Sequence, residues 1–156
     1  MNSTDLQQFI DTQQITAEIL TLGGHTPTVE DAARELGVAP EQIIKSLVFQ
    51  IRDQPLLVIN NGLARVDRRK LAAHLEVGRK WARFASPEQV LDMTGYVVGS
   101  MPPFGHRTRL RTLVDSAVLD QEVIYGGGGD LNAMMRLTPA ELVRVTGAEI
   151  VSLAEE

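Results

Sequence analysis

Residues 97–106 read VVGSMPPFGH, and this stretch constrains the fold more than any other in the chain. Pro102 and Pro103 each fix φ and remove an amide donor, while Gly99 and Gly105 permit backbone angles that other residues avoid. The outcome is a stiff loop, poor in side chains, between two apolar segments. It is either a plain turn or a wall against which a ligand lies.

The rest of the chain falls into short elements around that loop. Leu6, Phe9 and Ile10 at helical spacing predict a short helix over 4–13. ITAEILTL (15–22) reads as a strand ended by Gly23-Gly24. Thr28 and Asp31 form the signature of a capping box, with Gly37 as the stop. APEQIIK (39–45) is a helical turn leading into SLVFQI, a buried strand, and PLLVIN (55–60) is a second, followed by the turn pair Asn61-Gly62. Asp67 caps a helix to about His74; Trp81 and Phe84 are expected on a short strand; Ser86-Pro87-Glu88 opens another helix that Gly95 closes. RTLVD, EVIYGGGG and 131–137 read as strands, Thr138-Pro139-Ala140-Glu141 as a further capped helix, and AEIVSL closes the chain. Strands and helices interleave irregularly and several strands are separated by turns only, so the expected class is α+β with a mixed sheet.

With 156 residues the chain is expected to form one domain over 1–156. Zero cysteines exclude a disulfide framework and any thiolate site. The polar, acidic start MNSTDLQQFIDTQQ shows no secretory signal, and no apolar run approaches the about 20 residues that span a bilayer. A soluble, cytoplasmic protein without a membrane partner is expected. The net charge of −5 argues against sequence-independent binding to long nucleic acid, although three basic clusters stand out: Arg65 with Arg68, Arg69 and Lys70; Arg79, Lys80 and Arg83; and Arg107, Arg109 and Arg111. Each is either a solvated face or a local phosphate-binding patch.

Chemistry-bearing residues are few. YGGGGD (125–130) follows a strand but lacks the Gly-Lys-Ser/Thr ending of a phosphate loop, leaving a hairpin tip or a close backbone approach to a ligand. His25, His74 and His106 show no metal-ligand spacing, and no metal or cofactor is expected. His106 ends the proline loop, where it could titrate beside a ligand. Lys45 stands at the mouth of an apolar strand, where it either meets an anion or carbonyl or reaches out to solvent. No Gly-x-Ser-x-Gly elbow supports a serine nucleophile.

Three segments, PTVEDAARELGVAPEQIIKSLVF (27–49), TGYVVGSMPPFGHRTRLRTLVD (94–115) and VIYGGGGDLNAMMRLTPAELVRVTGAEI (123–150), together resemble the YbaK/ProX family, relatives of the editing domain inserted in bacterial prolyl-tRNA synthetases. The resemblance runs in order over nearly the whole chain. It implies a mixed, partly closed sheet with helices outside, and hydrolysis of the ester that joins a wrong, small amino acid to the 3′ end of a tRNA. Carried over by position, Lys45 matches the family's essential lysine and Ser46 the small polar residue beside it. Gly99, Ser100, Pro102, Pro103 and Gly105 match the loop that frames the substrate, where Phe104 and His106 are also expected to contact it, with Gly99, Ser100 and Gly105 joining Lys45 in the catalytic set. Gly127, Gly128 and Gly129 match the glycine-rich segment opposite. The resemblance requires Lys45 to lie beside both glycine segments in one pocket.

An aminoacyl ester is already activated, so positioning and backbone N–H stabilisation of the oxyanion suffice without a side-chain nucleophile. The implied partner is the acceptor end of a mischarged tRNA, with a synthetase or elongation factor as a candidate protein partner and a monomer as the expected state. Relatives that act on cysteine tend to carry serine at Gly127, basic residues at Asp130 and Leu131, Ser-Pro at Pro102-Pro103 and no histidine at 106, so their specificity does not transfer. The alternative function is a non-catalytic module that binds an aminoacyl-adenosine, a nucleotide or a protein in the same cleft.

Overall fold

The computed structural model describes residues 1–156 and contains five α-helices and eight strands. In chain order these are α1 (Ser3–Thr12), β1 (Ala17–Thr21), α2 (Val29–Leu36), β2 (Ile44–Ile51), β3 (Gln54–Asn61), α3 (Arg68–Leu75), β4 (Ala82–Phe84), α4 (Pro87–Thr94), β5 (Arg111–Asp115), β6 (Ile124–Gly127), β7 (Ala133–Leu137), α5 (Pro139–Thr146) and β8 (Glu149–Val151). The helices start and stop where local chemistry demands. Thr28, Asp67, Ser86 and Thr138 accept amide hydrogens at helix starts, and Gly37, Gly95 and Gly147 close helices in the left-handed region.

Two expected capping boxes are only half built. Thr138 accepts the Glu141 amide, but the Glu141 carboxylate turns instead to the Thr16 amide and to Arg144. Those partners hold it well below the usual range, at about 2, and tie α5 to the entry of β1. At α2, Thr28 accepts the Asp31 amide while Asp31 accepts from Arg34. Complete boxes form instead at Asn2–Asp5 and Ser86–Gln89. Trp81 lies in a 3-10 turn (Arg79–Trp81) rather than on the short strand, which holds Phe84. The β-branched pair Val97-Val98 forms an exposed turn.

The sheet is mixed, as expected for the α+β class, and divides in two. One part has the order β1-β7-β6, all antiparallel; the other has the order β4-β2-β3-β5-β8, antiparallel up to β3 and parallel beyond. The two open sheets are joined by a single parallel bridge, Ile43 to Tyr125. Strand β2 is buried on both faces. Its alternation sends Ile44 and Val48 into a core built with Tyr96, Met101, Ile124 and Met135, and Phe49 and Ile51 into a second core with Leu56, Leu71 and Leu113. The edge of β2 is covered only at its far end: β4 pairs with residues 49–51, and the Ala85 amide donates to the Val48 carbonyl. Residues 44–47 therefore present an uncovered backbone edge between β4 and β6.

Asp115 ends β5 with its carboxylate buried, at 1% exposure. One oxygen accepts the Leu153 and Ala154 amides at 2.7 and 3.1 Å, and the other accepts the Ala117 amide at 3.0 Å. This single side chain pins the segment after β8 to the sheet. Asp115→Ala orphans three amides, and we expect a loss of about 3 kcal/mol or more in urea unfolding, with a smaller loss for Asp115→Asn, which keeps an acceptor oxygen.

Candidate active site

The uncovered edge of β2 opens into a cleft of about 410 Å³. Lys45 and Ser46 line it from β2, Val98, Gly99 and Met101 from the loop, Gly127 from the end of β6, and residues 26–29 from the segment entering α2. The sequence-derived residues thus divide. Lys45, Ser46, Gly99 and Gly127 come together in one cleft, with Lys45 beside both glycine segments.

The others stand behind it or hold it in shape. The Ser100 hydroxyl donates to the Val97 carbonyl at 3.0 Å, and its own carbonyl accepts the Gly129 amide at 2.9 Å. Pro103, Phe104, Gly105 and His106 line a separate, smaller cleft of about 100 Å³ with Phe9 of α1. Phe104 packs on Phe9 with ring centroids 5.9 Å apart, and a Cβ on Gly105 would come within 3.1 Å of the Phe9 ring. His106 lies 2.6 Å from the buried Pro102 carbonyl through Nε2, so this nitrogen carries the proton and donates. Burial pushes the imidazole below its ordinary pKa and so favours the neutral ring, partly offset by the hydrogen bond to the carbonyl, which favours the protonated form. His106 therefore clamps the loop from behind, and the prolines stiffen the back of the loop rather than facing the lysine.

Three of the four glycines at 126–129 are required by contact with the protein's own backbone, while Gly126 faces the side chains of Ile44 and Pro103. A Cβ on Gly127 would sit 2.1 Å from the Met101 carbonyl oxygen, and one on Gly129, at φ +96°, would sit 2.7 Å from the Ser3 amide nitrogen. On Gly128 it would meet the Ala133 carbonyl carbon at 2.6 Å. The segment is the turn of the β6–β7 hairpin, pressed against the proline loop on one side and the start of α1 on the other.

Three features give the cleft chemical character. The Val98, Gly99 and Met101 amides donate to no acceptor in the protein, which leaves three N–H groups of the cleft-lining loop unpaired. The Ser46 hydroxyl is buried and has no hydrogen-bond partner. Ladder alternation also turns the Ser46 N–H and C=O to the same edge as the Val48 carbonyl, toward the cleft. Lys45 and Ser46 thus flank the edge from opposite faces of β2. Apart from these groups the lining is mainly apolar: Ile44, Val48, Val90, Met101 and Met134, with Phe84 at the rim. The 26–29 wall and Phe84 were not among the sequence candidates; their only signal is an aromatic at the exposed end of a short strand.

Because Gly127 touches backbone, Gly127→Ala has nothing flexible to displace. We expect it to lower stability by about 1–3 kcal/mol in thermal or urea unfolding, whereas Gly24→Ala, with nothing within 4 Å of the added carbon, stays near wild type.

The family model described as the aminoacyl-tRNA editing domain matches residues 24–145. The protein YwhH of Bacillus subtilis is 35% identical over 74% of this chain and 72% of its own length. The multifunctional Ser/Thr-tRNA deacylase ProXp-y of Escherichia coli is 30% identical over 74% of this chain and 71% of its own. A proline–tRNA ligase of Thermotoga neapolitana is 32% identical, but the match spans only 17% of the ligase. Among solved structures, one described as a proposed trans-editing enzyme for prolyl tRNA synthetase superimposes with a TM-score of 0.92 at 32% identity, over 99% of this chain and 97% of that one. Fold, site geometry and sequence similarity converge, and the chain belongs to the aminoacyl-tRNA editing domain family.

Proposed function

We propose that this chain is a free-standing aminoacyl-tRNA deacylase, with residues 1–156 acting as one editing domain on the acceptor end of a tRNA mischarged with a small amino acid. The observation that carries this reading is that Lys45, Ser46, Gly99 and Met101 line one cleft, with the Gly99 and Met101 amides unpartnered. Family membership and the deacylase named among its relatives support it.

The chemistry follows from an ester that needs no further activation. Water adds to the acyl carbon and negative charge grows on the carbonyl oxygen. The bond to the ribose oxygen then breaks, releasing the amino acid and a tRNA with a free hydroxyl. Donors fixed in advance around the developing oxyanion supply most of the acceleration. In this site they are loop amides, held in place by backbone contact with the β6–β7 turn. The Lys45 ammonium takes the oxygens of the ester or the adjoining phosphate. Val90, Met101 and Met134 enclose the amino-acid side chain, and the Ser46 hydroxyl offers it one hydrogen bond. An unpaired buried hydroxyl is costly, so a substrate that pairs it gains more than its apolar isostere.

Two measurements test this reading. On a panel of tRNAs charged with Ala, Ser, Cys or Thr, the wild type should hydrolyse at least one, and Lys45→Ala should slow that reaction by about 100-fold or more. If every ester survives while an uncleavable aminoacyl-adenosine analogue still binds, the protein is a binding module instead. Separately, Ser46→Ala should narrow the preference for seryl over alanyl ester by about fivefold in kcat/KM; an unchanged ratio removes Ser46 from specificity.

A further inference from the structure

The three basic clusters are not equivalent in the folded protein. Arg68 donates to the Ala82 carbonyl, Arg69 pairs with Asp67, and Lys70 reaches the Ala154 carbonyl and Glu156. Arg111 forms a two-pronged pair with Glu149, while Arg107 and Arg109 donate to the Asp92 and Thr146 carbonyls. These side chains are engaged by their own fold. Arg79, Lys80 and Arg83, joined by Arg52 from the β2–β3 turn, have no carboxylate partner, and of these four side chains only Arg83 makes a hydrogen bond, to the Lys80 carbonyl. Both Arg52 and Lys80 lie against the Trp81 ring, 4.9 and 5.3 Å from its centroid. The ring gathers two like charges to within about 10 Å of each other, and a polyanion relieves the repulsion between them.

Directly beside this cluster stands Phe84, 58% exposed at the rim of the cleft. Its other face is backed by the fully buried Phe49, with ring centroids 4.5 Å apart and planes 28° apart. A large aromatic held flat by a buried ring, with its outer face open to solvent, is a stacking platform that has already lost its rotamer freedom. Strand alternation puts Lys45 on the same face of β2 as Phe49, to which Phe84 is paired, about 13 Å along the strand. That span suits a nucleoside joined to its acyl group and lying along the strand.

We infer that Phe84 stacks the terminal nucleobase of a single-stranded RNA 3′ end, and that Arg52, Arg79, Lys80 and Arg83 receive the phosphates that precede it. The inference rests on the deacylase reading for the placement of the acyl group in the cleft, but its chemistry is that of RNA binding alone. Aromatic–base stacking tolerates any base, so the platform reads the end of the strand rather than its sequence.

The test uses uncharged RNA, so it does not depend on hydrolysis. An acceptor-stem hairpin with a single-stranded 3′ tail is compared with the same hairpin lacking its last nucleoside. Wild type should bind the trimmed hairpin about tenfold more weakly, and Phe84→Ala should abolish that difference. Phe84→Leu, which keeps apolar packing on Phe49 without a flat face, should behave like Phe84→Ala, and Phe84→Trp should restore the difference. The Arg79→Ala/Lys80→Ala double variant should flatten the salt dependence of binding, whereas the Phe84 variants should leave its slope unchanged. An equal affinity of wild type for both hairpins, or a trimming effect that survives in Phe84→Ala and Phe84→Leu, overturns the platform. If the trimming effect is present but no charged tRNA is hydrolysed, the deacylase reading fails and the platform stands.

Discussion

Everything in the candidate site depends on a place where two stretches of backbone touch. The carbonyls of Ser100 and Met101 lie so close to Gly127 that no side chain fits between them. The Gly129 amide closes the same contact by donating to the Ser100 carbonyl. This seam joins the proline loop to the β6–β7 turn and so sets the distance from Gly99 to β2. Loosened by a methyl group, the loop amides would no longer share a cleft with Lys45. Pro102, Pro103, Phe104 and His106 hold the seam from the other side, through the stack on Phe9 and the hydrogen bond from the imidazole to the Pro102 carbonyl.

The second requirement is a strand covered on both faces but not along its whole edge. Two hydrophobic cores hold β2 still, one through Ile44 and Val48, the other through Phe49 and Ile51. Because β4 covers only the far end, Lys45 and Ser46 reach the same cleft although they project to opposite faces. A strand flexible enough to twist would lose this arrangement. Rigidity from the cores and openness at the edge are thus complementary, and the openness comes from the short length of β4.

Local features were the most legible part of the sequence. The glycine stops at Gly37, Gly95 and Gly147 and the caps at Thr28, Asp67 and Thr138 depend only on neighbouring residues, and they stand where the spacing put them. The second half of each expected box was not legible, because Glu141 finds a better partner in the distant Thr16 amide. The gathering of Lys45, Ser46, Gly99 and Gly127 was legible through resemblance, since no local rule brings residues so far apart in sequence to one cleft. The orientation of the proline loop was not legible. Which half faces the lysine is decided by Phe9, whose helix packs behind Phe104 and Gly105. The glycine run, which the sequence leaves open between a loose hairpin tip and a ligand cradle, is a hairpin turn tightly packed against the protein itself.

A wall made of main chain has a consequence for how such a site can change over generations. Substituting a residue alters a side chain, but an amide keeps its identity whatever it is attached to, and Gly127 admits no replacement at all without moving its neighbour. Variation that survives must therefore accumulate on the other wall, at Ser46, Val90 and Met134, where side chains can differ in size and polarity while the loop remains fixed. Descendants of one ancestor can then come to prefer different amino acids without reinventing the hydrolytic step. The seam separates the part of the site that can drift from the part that cannot.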